Sequence, residues 1–383
     1  VIAGATGRRA KDLDRRARTL LRLGVYQLAF TRVPARAAVH STVALGGGDA
    51  KRRGFVNGVL RALARDGVPE PPADVDHLGP RTGLPDWLAR RWLERLGPEG
   101  AEALARHANT PAPLTLRVNA ARITPEDLTA RLEAAGLEVT PSAWVPEALR
   151  VAGHGAVREI PGYAEGLWYV QDEAGQLVAR LVGARPGERV LDACAAPGGK
   201  ATQLAATVGN KGEVVALEPD PGRLERLEAN VRRLGAANVR VVKGDLGSGP
   251  PAGAEGPFDR VLVDAPCSGL GVLGRHPEGR WWKNEAGIRA CAARQRSILE
   301  AAAGRVRPGG ALVYAVCTGE PEETTGVTDA FLAAHQEFQP VPADAVLGAA
   351  VRPWTAPDGS FTTLGNTAGL DGFFALHTRR GAC

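Results

Sequence analysis

The sequence predicts an α/β protein whose main body is a parallel sheet with helices on both faces, preceded by a small α+β module and an all-helical lobe. Two patterns carry that expectation. From residue 167 onward strand-like and helical stretches alternate, the signature of parallel strands joined by crossover helices. Over residues 11–65, by contrast, apolar residues recur at helical spacing with arginines between them. At 383 residues the chain has room for two or three domains, and 44% hydrophobic with 23% charged residues is a globular rather than a disordered composition.

The helical lobe is expected over 1–66. In "KDLDRRARTLLRLGVYQLAF" (11–30) Leu13, Leu20, Leu21, Leu23, Leu28 and Phe30 fall at helical spacings, and two more helices are expected near 35–46 and 51–65, parted by Gly46-Gly47-Gly48. The proline-rich stretch "GVPEPPADVDHLGPRTGLP" (67–85) reads as a linker or extended arm within a connecting region over 67–111. A strand at 114–118, a helix near 125–135, a strand around 137–140 and a turn-rich run to Gly166 make 112–165 a compact α+β module. The alternating body occupies 166–383. Its strands are expected at 189–193, 213–218, 238–243, 260–264, 311–316 and 372–377, and its helices at 199–208, 221–234 and 288–306.

Charge and cysteine usage narrow the function class. Residues 1–66 carry fourteen Lys/Arg against four Asp, a net +10, whereas the remainder is −5. A basic lobe joined to a mildly acidic body is the footprint of an enzyme steered by nucleic acid, although arginine on solvated helix faces gives a similar excess. No apolar run approaches the length of a membrane span, and no signal-peptide pattern opens the chain. Five cysteines (194, 267, 291, 317, 383) with no Cys-x-x-Cys pair argue against a disulfide framework or a zinc site, and for a reducing, cytoplasmic setting. The chain opens on Val and contains no Met, so it is expected to lack its natural start; a monomer is expected.

"VLDACAAPGGK" (190–200) is a strand running through Cys194, Ala195, Ala196, Pro197, Gly198 and Gly199 into a helix that opens with Lys200. Such a turn lets the backbone approach a ligand at the carboxyl edge of the sheet. It is not a phosphate-binding Walker A loop, because Cys194 stands where the first Gly is needed and Ala201 where Ser/Thr is needed, and it is not a G-x-G-x-x-G dinucleotide loop. The second strand ends on Glu218, placed to accept ribose hydroxyls, and the third leads to Asp245, on the adenine side. A ribose acid and an adenine-side acid without a pyrophosphate cradle fit S-adenosylmethionine better than NAD or ATP, although each acid alone could simply cap a helix.

"FDRVLVDAPCSGLGVLGRHPEGRWW" (258–282) ends a strand on Asp264, turns at Pro266 and presents Cys267 at once. Arg275, His276, Arg280, Trp281 and Trp282 follow, a mixture of cations and stacking surfaces suited to nucleic acid. In "VYAVCTGEPEE" (313–323) a second thiol, Cys317, ends the next strand. A lone cysteine in a loop is usually inert; two at the ends of adjacent strands make coincidence a weaker account.

"CAAPGGK", "VDAPCSG" with "RHP", and a Cys followed by "PEE" resemble the two-cysteine RNA cytosine-C5 methyltransferases, most closely the bacterial small-subunit (16S) rRNA methyltransferase B group, the Sun/Fmu family. "LRVNAARITPEDLTARLEAAG" and "EGLWYVQDEAGQL" resemble the module that precedes the core in that family. "LDRRARTLLRLGVYQLAF" with "RRGFVNGVLRAL" resembles the later part of a NusB-type RNA-binding domain, so the resemblance covers nearly the whole chain. It implies a Rossmann-like S-adenosylmethionine-dependent methyltransferase core of class I and ribosomal RNA as partner, with no metal.

By that resemblance Cys317 is the nucleophile that adds to C6 of cytosine, Asp264 hydrogen-bonds the ring at N3, Cys267 assists release, and Lys200 lies near the substrate. The chain departs from the family pattern at Val316, where Thr is usual and a hydroxyl near the cytosine would be missing, at Glu218 for Asp, and at Gly175 for Ser. Alternatives are the same chemistry on tRNA, a DNA-type enzyme using Cys267 as nucleophile, or a non-catalytic RNA-binding protein of antitermination type with a degenerate core.

Overall fold

A computed structural model describes residues 1–69, 75–249, 251–366 and 368–382. The chain divides into two units, Val1–Leu84 and Pro85–Cys383. In the first, helices α1 (Ile2–Thr6), α2 (Arg15–Phe30), α3 (Ala35–Ala44), α4 (Ala50–Asp66) and α5 (Leu78–Thr82) form the lobe. Asp14 and Asp49 start α2 and α4 by accepting hydrogen bonds from the amides of Ala17 and Arg52, both at 2.9 Å. Leu20, Leu21, Val39, Val56, Leu60 and Leu63 make its core. Gly24 lets α2 and α4 approach closely, since a Cβ there would overlap Leu60. The expected linker over 67–85 is corrected in part: 70–74 lie outside the described residues, but Val75–Thr82 are helical, with Leu78 and Leu84 buried.

The second unit opens with α6 (Asp86–Asn109), which breaks at Gly97 (φ 68°) and restarts on Pro98. An antiparallel sheet follows, built from β1 (Leu114–Val118), β2 (Glu138–Pro141), β3 (Ala148–Ala152) and β4 (Trp168–Val170) in the order β2-β3-β1-β4, with α7 (Pro125–Ala134) packed on it. Two expectations are corrected here. Strand β3 lies inside the run expected to be turns. Strand β4 pairs with β1 (Val118 opposite Trp168), so the small sheet reaches past the expected edge at 165.

The large sheet contains β5 (Arg189–Asp192), β6 (Glu213–Glu218), β7 (Val239–Lys243), β8 (Phe258–Asp264), β9 (Val306–Val316), β10 (Phe338–Val341), β11 (Phe361–Thr362) and β12 (Phe374–Arg380). Its order is β10-β12-β9-β8-β5-β6-β7, with β11 beside β12; β5 to β9 run parallel, β12 is antiparallel to β9, and β10, antiparallel to β12, runs in the direction of β9. The connecting helices are α8 (Glu173–Leu181), α9 (Gly199–Val208), α10 (Pro221–Leu234), α11 (Gly279–Trp282), α12 (Glu285–Ala303), α13 (Thr325–Ala334) and α14 (Ala343–Leu347). Alternation along the strands feeds two cores. Val190, Leu262, Val313 and Ala315 join the side of α8 and α9, whereas Leu191, Val263, Tyr314 and Val316 join the side of α12 and α13. The chain runs outward from β5 to β6 and β7, then returns to β8 on the other side of β5. That reversal opens a crevice at the carboxyl edge between β5 and β8, where ligands bind in such sheets.

Candidate active site

The Gly-rich loop sits at this crevice. The Ala195 amide donates to Leu217 O (2.9 Å) and the Gly198 amide to Ala195 O (2.7 Å), which fixes the turn. Gly198 has φ 108°, and a Cβ there would meet Leu227 at 2.9 Å, so the turn needs a glycine for both reasons. Asn230 and Arg223 of α10 donate to Pro197 O (2.9 Å) and Ala196 O (3.1 Å). From the small sheet, buried Arg117 reaches Gly199 O, Gln171 Oε1 (2.6 Å) and Thr202 Oγ1 (2.8 Å), and burial pushes its pKa down to about 10. Sequence reading did not single out Arg117.

Acids ring the loop. Burial, followed by the charges of Asp192, Asp264, Glu218 and Asp245, raises the pKa of the Cys194 thiol. Glu218 is buried, accepts the Asp220 amide at 3.0 Å and faces Arg223 at 3.5 Å. Asp245 caps a 3-10 turn through the Gly247 amide (3.0 Å) and pairs with Arg294 at 3.2 Å. Asp192, which the sequence reading passed over, is buried, and burial together with the Asp264 charge pushes its pKa up to about 7. Carboxylates in this number repel phosphates and suit hydroxyls and a cationic centre, which is the chemistry of a sulfonium nucleoside.

The four residues expected to carry the reaction lie together. Lys200 Nζ is 2.7 Å from Asp264 Oδ2 and 5.1 Å from the centre of the Phe373 ring. Burial opposes the lysine's charge, but Asp264 outweighs it and raises the pKa. Cys267 Sγ and Cys317 Sγ lie 3.3 Å apart. That contact, with burial next, holds the Cys267 thiol well above its ordinary pKa. Register explains the meeting: Asp264 on β8 pairs with Ala315 on β9, so the loops that follow emerge side by side. The Gly271 amide, which donates to Cys317 O at 3.0 Å, ties the two loops again.

Three expectations change. Arg275 is not available to nucleic acid, because it joins Asp172 (2.7 Å) and Asp371 (2.7 Å) in a buried clamp. Arg280 is buried against Asn109 Oδ1 (2.9 Å) and Ala108 O (3.1 Å), whereas His276, Trp281 and Trp282 are exposed. Val316 is fully buried in the core shared with α12 and α13, so the hydroxyl it lacks is missing from an apolar interior rather than from the open crevice. Sequence reading also missed the segment Asp371-Gly372-Phe373, which β12 carries to the site by pairing Phe374 with Val316; only that antiparallel pairing reveals it.

The strand order, the Gly-rich loop and the acids at the switch point define a Rossmann-like methyltransferase core. The chain belongs to the 16S rRNA methyltransferase RsmB/F family, whose description matches residues 179–377. The ferredoxin-like domain of RsmF/B-like methyltransferases matches 84–158 and the NusB family matches 1–65. Similar proteins include the ribosomal RNA small subunit methyltransferase B of Vibrio cholerae, 39% identical over 329 residues (85% of this chain, 75% of the relative). That of Klebsiella pneumoniae is 40% identical over 319 residues (82% and 72%). Among solved structures, PH0851 superposes with a TM-score of 0.81 at 29% identity, covering 99% of this chain and 85% of that one. The NSun6 of Pyrococcus horikoshii, solved with SFG, shares the fold at a TM-score of 0.67 and 22% identity, covering 77% and 98%. The protein is therefore an RNA methyltransferase. Among the described residues no helix is long and apolar enough to cross a membrane, and no cluster of potential metal ligands occurs.

Proposed function

We propose that this methyltransferase uses S-adenosylmethionine to methylate C5 of a cytosine in 16S rRNA, through a covalent bond between Cys317 Sγ and C6. The observation that carries the reading is the placement of two thiols 3.3 Å apart on the edge that also holds the Lys200–Asp264 pair. The names of the relatives support small-subunit rRNA as substrate and the family's name supports 16S rRNA, and a cytoplasmic location follows from that substrate.

The cofactor supplies an electrophilic methyl group. Glu218 and Asp245 would hold its ribose and adenine ends, with the 194–200 loop against the rest. C5 of cytosine is too weak a nucleophile to take that methyl unaided. Addition of the Cys317 thiolate to C6 breaks the C5–C6 double bond and turns the ring into an enamine that attacks from C5. Asp264 uses Oδ2 toward Lys200 and turns Oδ1 to N3 of the base. As negative charge develops on the ring, a proton from the Lys200 ammonium passes by way of Asp264 to N3, the carboxylate accepts the N3–H hydrogen bond, and the proton returns when the C6–S bond breaks. The C5 proton then leaves to a base as the C6–S bond breaks. Cys267 keeps its proton because its pKa is raised, and it donates a hydrogen bond to the departing Cys317 sulfur. The cytosine must be unpaired or flipped to reach this edge.

Labelled S-adenosylmethionine with naked or partly assembled 16S rRNA, and tRNA as a parallel arm, tests the reading. Cys317→Ala is expected to abolish transfer, and Cys267→Ala to accumulate a protein–RNA adduct that migrates slowly on a denaturing gel. Adduct formation that persists in Cys317→Ala would overturn the assignment of the nucleophile.

A further inference from the structure

We infer that Glu323 is a positioning residue for the two thiols: its buried carboxylate ties the loop of Cys267 to the segment after Cys317 and thereby sets the sulfur–sulfur separation. The inference rests on the reading above, in which both sulfurs serve one cytosine.

Glu323 ends the 3-10 turn Pro321–Glu323 and is fully buried. Its Oε1 accepts the Ser268 amide at 2.8 Å and Gln295 Nε2 at 2.9 Å. The same Gln295 amide donates to Pro266 O at 3.0 Å. Ser268 and Pro266 are the two chain neighbours of Cys267, so the thiol is held from both sides by one carboxylate–amide unit. From β9, the Tyr314 hydroxyl lies 2.6 Å from Glu323 O and 3.1 Å from Gln295 Oε1, fastening that unit to the strand that bears Cys317. A second tie joins the neighbours of the two cysteines directly, Ser268 Oγ to Thr318 Oγ1 at 2.9 Å.

A carboxyl is an expensive way to make two hydrogen bonds in an interior. Oε2 is buried without a partner, and burial raises the pKa of Glu323. The group is retained where a single acceptor oxygen must meet a backbone amide and a side-chain amide at once. A shorter or apolar side chain would leave both donors unsatisfied and release the Cys267 loop.

The test uses the full chain with Glu323→Ala, Glu323→Asp and Glu323→Gln. Diamide oxidises neighbouring thiols to a disulfide while being reduced to the hydrazine, so the rate at which Cys267 and Cys317 become linked, read as a joined peptide pair in a non-reducing digest, reports their proximity without requiring turnover. Glu323→Ala and Glu323→Asp are expected to slow linkage and to lower kcat for RNA methylation by about tenfold or more, with KM for RNA little changed. Glu323→Gln, which keeps the acceptor oxygen, is expected to restore both. Should the alanine variant fail to fold, the Asp and Gln variants decide the matter. Linkage at the wild-type rate in Glu323→Asp overturns the inference. Slowed linkage in a protein whose wild type methylates no RNA would leave the positioning role standing and overturn the functional reading instead.

Discussion

Cys267 Sγ and Cys317 Sγ meet at 3.3 Å across a chain separation of fifty residues. The meeting is a consequence of parallel register, since β8 and β9 pair Asp264 with Ala315 and both strands deliver their following loops to the same edge. Neither loop could place its sulfur alone. The hydrogen bonds from Gly271 to Cys317 O and from Ser268 to Glu323 make the two loops one rigid piece.

The Lys200–Asp264 pair is the charged half of the site, at 2.7 Å. Asp264→Asn keeps an oxygen for Lys200 but removes the carboxylate proposed to serve N3 of the base. Single-turnover methyl transfer should fall by roughly 100-fold or more, as for loss of a preorganised electrostatic contact. Circular dichroism should be unchanged, and a variant that transfers at the wild-type rate would remove Asp264 from the chemistry.

Asp192 gives stability a pH dependence. Its folded pKa, pushed up to about 7 by burial and the Asp264 charge, lies above the ordinary 3.8. Between those values the folded state holds a proton that the unfolded chain has lost, so this group's contribution to stability falls as pH rises through the window. Asp192→Asn removes the penalty and keeps an acceptor for the Cys194 amide. Its melting temperature should match the wild type near pH 4 and exceed it by roughly 2–4 °C at pH 8. Scanning calorimetry across that range checks the sign.

Gly271 is confined by backbone. A Cβ there would overlap Gly372 O and lie 2.9 Å from Cys317 O. Neither atom can yield without moving the thiol loop or the segment that carries Phe373. Gly271→Ala should lose roughly 1–3 kcal/mol in chemical denaturation, the usual penalty of overpacking, and it should slow adduct formation as well.

Trp281 and Trp282, which end α11, are 61% and 78% exposed. Aromatic faces held in solvent suit stacking with the bases of an RNA strand. Replacing either by Ala should weaken single-stranded RNA binding by about 1–3 kcal/mol per lost stack while leaving the melting temperature alone. Unchanged affinity in a filter-binding titration would exclude them from the RNA surface.

Much of the large sheet was legible because its signals are local. Helices 199–208 and 221–234 carry their own periodicity, the second also its N-cap Asp220, and they stand where expected. Strand β10 was invisible because Pro340 interrupts a four-residue run; an edge position tolerates it. Strand β3 was hidden by its short run between a proline turn and Gly153, and β9 begins before the Pro308-Gly309-Gly310 break that marked its expected start. Arg275 and Arg280 looked like nucleic-acid contacts because their buried partners, Asp371 and Ala108, lie far along the chain.

Periodicity, the Gly-rich turn and the strand-end acids act within a few residues of where they occur, so the sequence alone determined a parallel sheet, a Gly-rich loop with acids at neighbouring strand ends, and two candidate thiols. Which side chains share a volume depends on strand order and register, set by packing across the whole sheet. That packing decided that Cys317 opens toward Cys267, that Val316 beside it turns into the core, and that a buried carboxylate, Glu323, holds the two thiol loops together.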